Sequence, residues 1–168
     1  VELPEGSRRP RPRRGGPARP VDTPGVRRRR ELGASRLTDA DPDAARLTFH
    51  DEASGERFTV EVAESQQKQA LGLMFREEMA DDHGMLFIFP VEARRSFWMK
   101  NTRIPLDIFY FDGELKLVSV AANARPCKTT RCPTYPSTGP AQYVLELNAG
   151  KAAELGVKPG DALELRLD

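Results

Sequence analysis

Lys100, Asn101 and Asp107 stand where apolar chain is expected. They interrupt SFWMKNTRIPLDIFYFD, residues 96–112, a stretch otherwise rich in aromatic and aliphatic side chains. A cation, an amide and a carboxylate in such surroundings have two uses. The first is structural: a salt bridge between Lys100 and Asp107, with Asn101 satisfying the backbone of a turn. The second is a polar end to an aromatic pocket, with Trp98 as a wall and Lys100 as a point charge for an anion. Arg76, at the end of LMFR, would add a second cation. Such a site suits a small anionic or carbohydrate-like ligand. A desolvated Lys also works as a base or nucleophile, which would make Lys100 and Asp107 an acid–base pair. In extended chain Trp98 and Lys100 share one face, and Asp107, Phe109 and Phe111 share another. If the two runs form a hairpin, Lys100 and Asp107 lie near the same end, and register decides whether they meet.

The second candidate is the segment from Asn123 to Pro140, which holds Cys127, Cys132, Tyr135 and four prolines. Read as a loop, it is long for a domain of this size. Its C-x4-C spacing admits a local disulfide, a metal site or two free thiols, and the disulfide is favoured. A metal site would need about two further ligands. The only histidines, His50 and His83, show no ligand spacing, so no metal is assigned. Met74, Met79, Met85 and Met99 lie among Leu, Phe and Ile and read as core rather than as a copper site. Adjacent Glu77 and Glu78 read as a solvated surface. Glu146, in YVLELNAG, reads either as a solvent-side residue or as a partner of Lys100. Nothing matches a nucleophile elbow, a phosphate loop or a zinc-protease helix, and no cofactor is expected.

The elements that must hold these residues lie in the second part of the chain. Residues 1–46 have no Phe, Trp or Tyr, seven of the 14 prolines, and twelve Arg against seven acidic residues. They read as a disordered Arg/Pro-rich tail, either a solvated extension or a basic arm for nucleic acid or anionic lipid. Residues 47–168 carry 14 Lys plus Arg against 18 Asp plus Glu. This balance excludes a nucleic-acid footprint on the folded part. No apolar run approaches the ~20 residues of a membrane-spanning helix. The runs 46–51 and 56–63 alternate around Ser54–Gly55 as a hairpin. Ser65 reads as the N-cap of a short helix weakened by Gly72. GMLFIFP reads as a buried strand ended by Pro90, followed by strands in SFWMK, LDIFYF, LKLVSVAA, YVLEL and ALELRL. Asp112–Gly113 marks a hairpin turn, GKAAELG a short helix closed by Gly156, and KPGD a type II turn. The expected fold is mainly β, an antiparallel sandwich or partly closed barrel with two short helices, in a single domain over 47–168.

The blocks LGLMFREEM, GMLFIFP, FWMKNTRIPLDIFYFD, YVLELNAG and GVKPGDALEL occur in this order. Together they resemble domain-of-unknown-function family 192, found in bacteria and archaea, over about residues 47–168. The resemblance implies a mainly β, sandwich-like domain without an established activity. It adds support to a Cys pair in the loop, and it implies that relatives are often exported. The sequence as given shows no leader, which reads as cytoplasmic. The Cys pair reads as extracytoplasmic, with the true N-terminus upstream. Three functions follow as expectations. The first is a small ligand-binding or accessory domain using Arg76, Trp98, Lys100, Asn101 and Asp107. The second is a hydrolase or transferase using the Lys100/Asp107 pair. The third is a structural protein-interaction domain, whose mark would be an exposed apolar patch.

Overall fold

A computed structural model describes residues 44–49 and 55–167. Seven strands and two short helices follow in the order β1 (Ala44–Phe49), β2 (Arg57–Ala63), α1 (Gln66–Leu71), β3 (His83–Trp98), β4 (Leu106–Phe111), β5 (Leu117–Ala124), β6 (Thr134–Asn148), α2 (Lys151–Leu155) and β7 (Leu163–Leu167). The Arg/Pro-rich segment lies outside the described residues except for 44–46, which open β1. The boundary read at residue 46 therefore falls inside a strand. Among the described residues no helix is long and apolar enough to cross a membrane.

The strands form one sheet in the order β5-β4-β6-β3-β2-β1-β7. All pairs are antiparallel except β2 with β3. That pair is parallel because α1 and the chain after it form a crossover rather than a tight turn. An isolated bridge between Lys116 and Ala162 brings the β5 and β7 edges together at one corner. The sheet thus rolls partly closed. Its concave side is filled by Phe58, Val60, Leu86, Phe109, Phe111, Leu117, Leu145, Leu147, Leu155 and Leu163. The other side is covered by non-strand chain. There Leu73, Met99 and Ile104 pack on Met85, Phe87, Ile108, Tyr110 and Val144. β4 is buried on both sides, which explains why it is apolar apart from Asp107.

Two expected elements change. Pro90 does not end a strand: β3 runs on to Trp98, and the ladder absorbs the proline through register shifts between Ile88 and Ala93 and between Arg94 and Ser96. The long loop shrinks to residues 125–133, because Thr134 to Pro140 belong to β6. Here β6 pairs only with β3, whereas β4 joins it from Tyr143 onward. One side of this stretch is therefore an edge, which is where prolines are tolerated. The smaller signals hold. Ser65 Oγ accepts from Lys68 N–H at 3.2 Å, and Gly156 closes α2 in a left-handed conformation. KPGD forms its turn, with Asp161 N–H on Lys158 O at 3.0 Å and Gly160 at φ +96°.

Candidate functional site

Residues 96–100 and 106–111 do not form a hairpin with each other. β6 lies between β3 and β4, so Lys100 and Asp107 do not face each other across a turn. Asp107 pairs in register with Leu147, and its side chain belongs to the concave side together with Phe109 and Phe111. It is 1% exposed, and both oxygens are in use. Oδ1 accepts from Asn123 N–H at 2.7 Å. Oδ2 accepts from Gly150 N–H at 3.0 Å and Ala152 N–H at 2.8 Å. The N-cap of α2 is Gly150, which has no side chain to cap with. Asp107 supplies that carboxylate from another element, where it meets free N–H groups and the positive end of the helix.

Arg76 is also engaged elsewhere. Its guanidinium makes a two-pronged pair with the Glu61 carboxylate on β2, through Nη1 on Oε1 and through Nη2 on Oε2 at 2.6 Å. This hydrogen-bonded partner raises the Arg76 pKa further. The pair ties the segment after α1 to the sheet.

Trp98, Lys100 and Asn101 do come together. Lys100 Nζ stands 5.2 Å from the Trp98 ring centroid. Asn101 adopts φ +56° and lies opposite Phe75, itself at φ +66°, with Phe75 N–H donating to Asn101 O at 2.8 Å. The amide side chain of Asn tolerates this left-handed backbone, whereas for Phe it is a strained choice. Asn101 N–H in turn donates to Cys127 O, and Cys127 N–H donates to Met99 O, each at 3.1 Å. The Cys127–Cys132 disulfide is formed, so the C-x4-C spacing resolves to the local bridge. It stands directly behind Lys100 and holds the strip that carries Lys128.

Two depressions open on this side of the sheet. An open groove of about 440 Å³ is lined by Phe75, Glu77, Asn101, Thr102, Arg103 and Lys128. A narrow pocket of about 40 Å³ has walls that include Leu73, Phe87, Phe97 and Trp98. Thr102 lines both, so the two adjoin. The pocket wall is fixed from below by Gln69, whose Nε2 donates to Ala63 O at 3.1 Å and to Ile88 O at 2.9 Å. Phe87 and Phe97 pack edge to face, with centroids 5.0 Å apart. Leu71 at 55%, Phe75 at 54% and Trp98 at 48% exposure give the rim large apolar side chains.

Glu146 also lines the narrow pocket. It is neither a solvent-side residue nor a partner of Lys100. It pairs in register with Met85 and Ile108, on the covered side of the sheet, and is 5% exposed. Among the described residues no hydrogen bond or ion pair engages its carboxyl group. Among the described residues no fully buried side-chain oxygen or nitrogen lacks a partner. The Glu146 oxygens are therefore the part that reaches the open space of the pocket. Burial pushes its pKa from the usual carboxylic range up to about 8. Burial first, and the Glu146 charge second, also raise the Tyr110 phenol well above its ordinary range. At neutral pH Glu146 is largely a protonated carboxyl that can donate a hydrogen bond or give up its proton to a cation. Among the described residues no group of three or more His, Cys, Asp or Glu is placed to hold a metal.

No curated protein sequence matches the chain. Solved structures do, among them the following two. A protein of Sinorhizobium meliloti 1021, described as a candidate transcription regulator, is 40% identical, with a TM-score of 0.67 over 73% of this chain and 93% of that one. A protein of unknown function from Novosphingobium aromaticivorans DSM 12444 is 41% identical, with a TM-score of 0.64 over 72% of this chain and 84% of that one. The family DUF192, described as "Uncharacterized ACR, COG1430", matches residues 48–165. With its ordered sequence blocks spread over one partly rolled sheet, this chain belongs to the DUF192 family.

Proposed function

We propose that this domain binds a small ligand at the adjoining pocket and groove, and that it does so without catalysing a reaction on it. The observation that carries this reading is Glu146: a buried carboxyl that no described residue engages, lining a depression together with Phe87, Phe97 and Trp98. Its oxygens reach the open space of that pocket, so a ligand group entering there meets a carboxyl that no described side chain engages. Lys128 lines the groove and Lys100 stands over the Trp98 ring of the pocket wall, and no carboxylate among the described residues pairs with either. The ligand class is therefore a small molecule with an anionic group at the rim and an apolar or sugar-like body against Trp98. The acid–base alternative loses its base, because the Asp107 oxygens are occupied by three backbone N–H groups. A regulator of transcription, as the Sinorhizobium relative is described, would use a basic surface for DNA. The acidic balance of residues 47–168 argues against that use here.

Trp98 is the chain's one tryptophan, so its fluorescence reports on this site alone. Titration with short carboxylates, phosphate and simple saccharides should give saturable changes with at least one of these probes. Lys100→Ala should abolish the response while the melting temperature stays unchanged. If Lys100→Ala instead unfolds the domain, Lys100 is a structural residue and the pocket reading fails.

A further inference from the structure

We propose that the ligand is zwitterionic: a primary ammonium group enters the narrow pocket to meet Glu146, while an anionic group at the other end of the same molecule meets Lys100 and Lys128. This rests on the ligand-binding reading above and names what that site selects.

Three features of the site point to an amine. The pocket is small, with room for about three water-sized groups at roughly 10–15 Å³ each. That admits the end of a chain rather than a ring. Its wall includes three aromatic rings, Phe87, Phe97 and Trp98, and ring faces carry negative potential that suits a cation. Its one ionisable lining residue is the acid Glu146, and among the described residues no Lys, Arg or His lines the pocket with it. A buried acid without a counter-charge, set among aromatic rings, is the complement of an ammonium group.

The other end of the molecule follows from the rim. Arg103 is neutralised by Glu77, with Nη1 to Oε1 at 2.8 Å. Among the described residues, the Lys100 ammonium group meets the Trp98 ring and no carboxylate. Lys128 lines the groove. Both lysines lie outside the narrow pocket: Lys128 on the groove side joined to it by Thr102, Lys100 over the Trp98 ring that forms part of its wall. They would repel a simple cation approaching the mouth and attract a carboxylate or phosphate. A molecule carrying both charges satisfies both ends at once.

The proton balance is explicit. At pH 7 the reaction is a neutral carboxyl plus an ammonium ion giving a carboxylate–ammonium pair plus one proton released to buffer. The titratable group that shares the field of Glu146 is Tyr110 on β4, which keeps its proton throughout. From α1, β3 and the chain after Trp98, the pocket is lined by Gln69, Phe87, Phe97, Trp98 and Thr102, none of which titrates there. Lys100 is the nearby cation, above Trp98.

The test is calorimetry on the full chain with ε-aminocaproate, β-alanine, caproate and a simple saccharide, in two buffers of different ionisation enthalpy. At least one amino acid should bind with close to one proton released at pH 7, and about tenfold or more tighter than caproate. Glu146→Gln, which keeps the side-chain shape, should lose that preference and the proton release. Lys100→Met with Lys128→Met should weaken the amino acid but leave its proton release intact. If caproate or the saccharide binds as well as the amino acids, or if Glu146→Gln binds them unchanged, the zwitterion assignment is wrong and the binding site stands. If none of the four binds and Trp98 fluorescence responds to no probe, both readings fall.

Discussion

Asp107 and Glu146 lie on adjacent strands, one residue out of register, and open to opposite faces of the same sheet. Asp107 sits opposite Leu147, and Ile108 sits opposite Glu146. Both carboxyls are buried, yet they do opposite things. Asp107 is saturated by three backbone N–H groups, while no described residue engages the Glu146 carboxyl. The fold uses one acid to assemble itself and leaves the other open to a pocket.

The role of Asp107 predicts a stability effect without a binding effect. Asp107→Ala strands the N–H groups of Asn123, Gly150 and Ala152 in a buried place. At about 1–3 kcal/mol for each unsatisfied group, relieved in part by local rearrangement, the loss should be about 3 kcal/mol. Asp107→Asn keeps one acceptor and should cost roughly half as much. Urea unfolding measures both. Ligand affinity of the molecules that remain folded should be unchanged, and a large affinity change would put Asp107 in the site after all.

Glu146 predicts the direction in which stability depends on pH. Its pKa is about 8 in the folded protein against 4.5 when unfolded. Between these values the folded state binds more protons than the unfolded state. The stabilisation is therefore fully present below about pH 4.5 and lost as pH rises toward 8. The limiting slope is about 1.4 kcal/mol per pH unit. Glu146→Gln should remove this slope and be the more stable protein at pH 8. Equal slopes for the two proteins would mean that the carboxyl is ionised and solvated in the folded state.

These two residues also mark how far the sequence could be read. Alternation and turn chemistry located most of the strands, Ser65, Gly156 and KPGD, because those signals are local. Asp107 was visible as an anomaly, but its partners at 123, 150 and 152 come from chain far away in sequence. Lys100 was mispaired for the same reason: nothing local says that β6 inserts between β3 and β4. Glu146 drew attention only as an ambiguous strand residue. Its burial depends on Leu73, Met99 and Ile104 covering that side of the sheet, and they reach it from loops. Pro90 and the prolines of β6 misled because their tolerance depends on which neighbouring strand is absent.

Reduction of Cys127–Cys132 should destabilise the domain modestly. The bridge spans five positions in sequence, and chain-entropy arguments give about 2 kcal/mol for so short a loop. The backbone bonds of Cys127 to Met99 and Asn101 do not depend on the sulfur, so Asn101 should keep its place. Lys128, one residue inside the bridge, should become more mobile. The double variant Cys127→Ser with Cys132→Ser should therefore fold, unfold at lower denaturant, and bind an anion at the rim more weakly. Unchanged stability on treatment with a thiol reductant would show that the loop is held by its backbone bonds alone.

Gly84 offers the most direct check on the packing that buries Glu146. It pairs with Leu147 in the β3–β6 ladder, and a Cβ built there would lie 2.5 Å from the backbone O of Glu146 and 2.6 Å from Leu147 Cδ2. The leucine could move, but the carbonyl belongs to a central strand held on both sides. Gly84→Ala must therefore push β3 away from β6. Overpacking of this kind costs typically about 1–3 kcal/mol, and a clash with backbone belongs at the upper end. Because β3 and β6 carry Phe87 and Glu146, the same shift should widen the narrow pocket. The expected result is a lower midpoint in urea together with a Glu146 pKa closer to that of a free carboxylic acid, read from the pH dependence of stability. A Gly84→Ala protein as stable as the parent, with its pH profile intact, would mean that the two strands are not as close as the ladder places them.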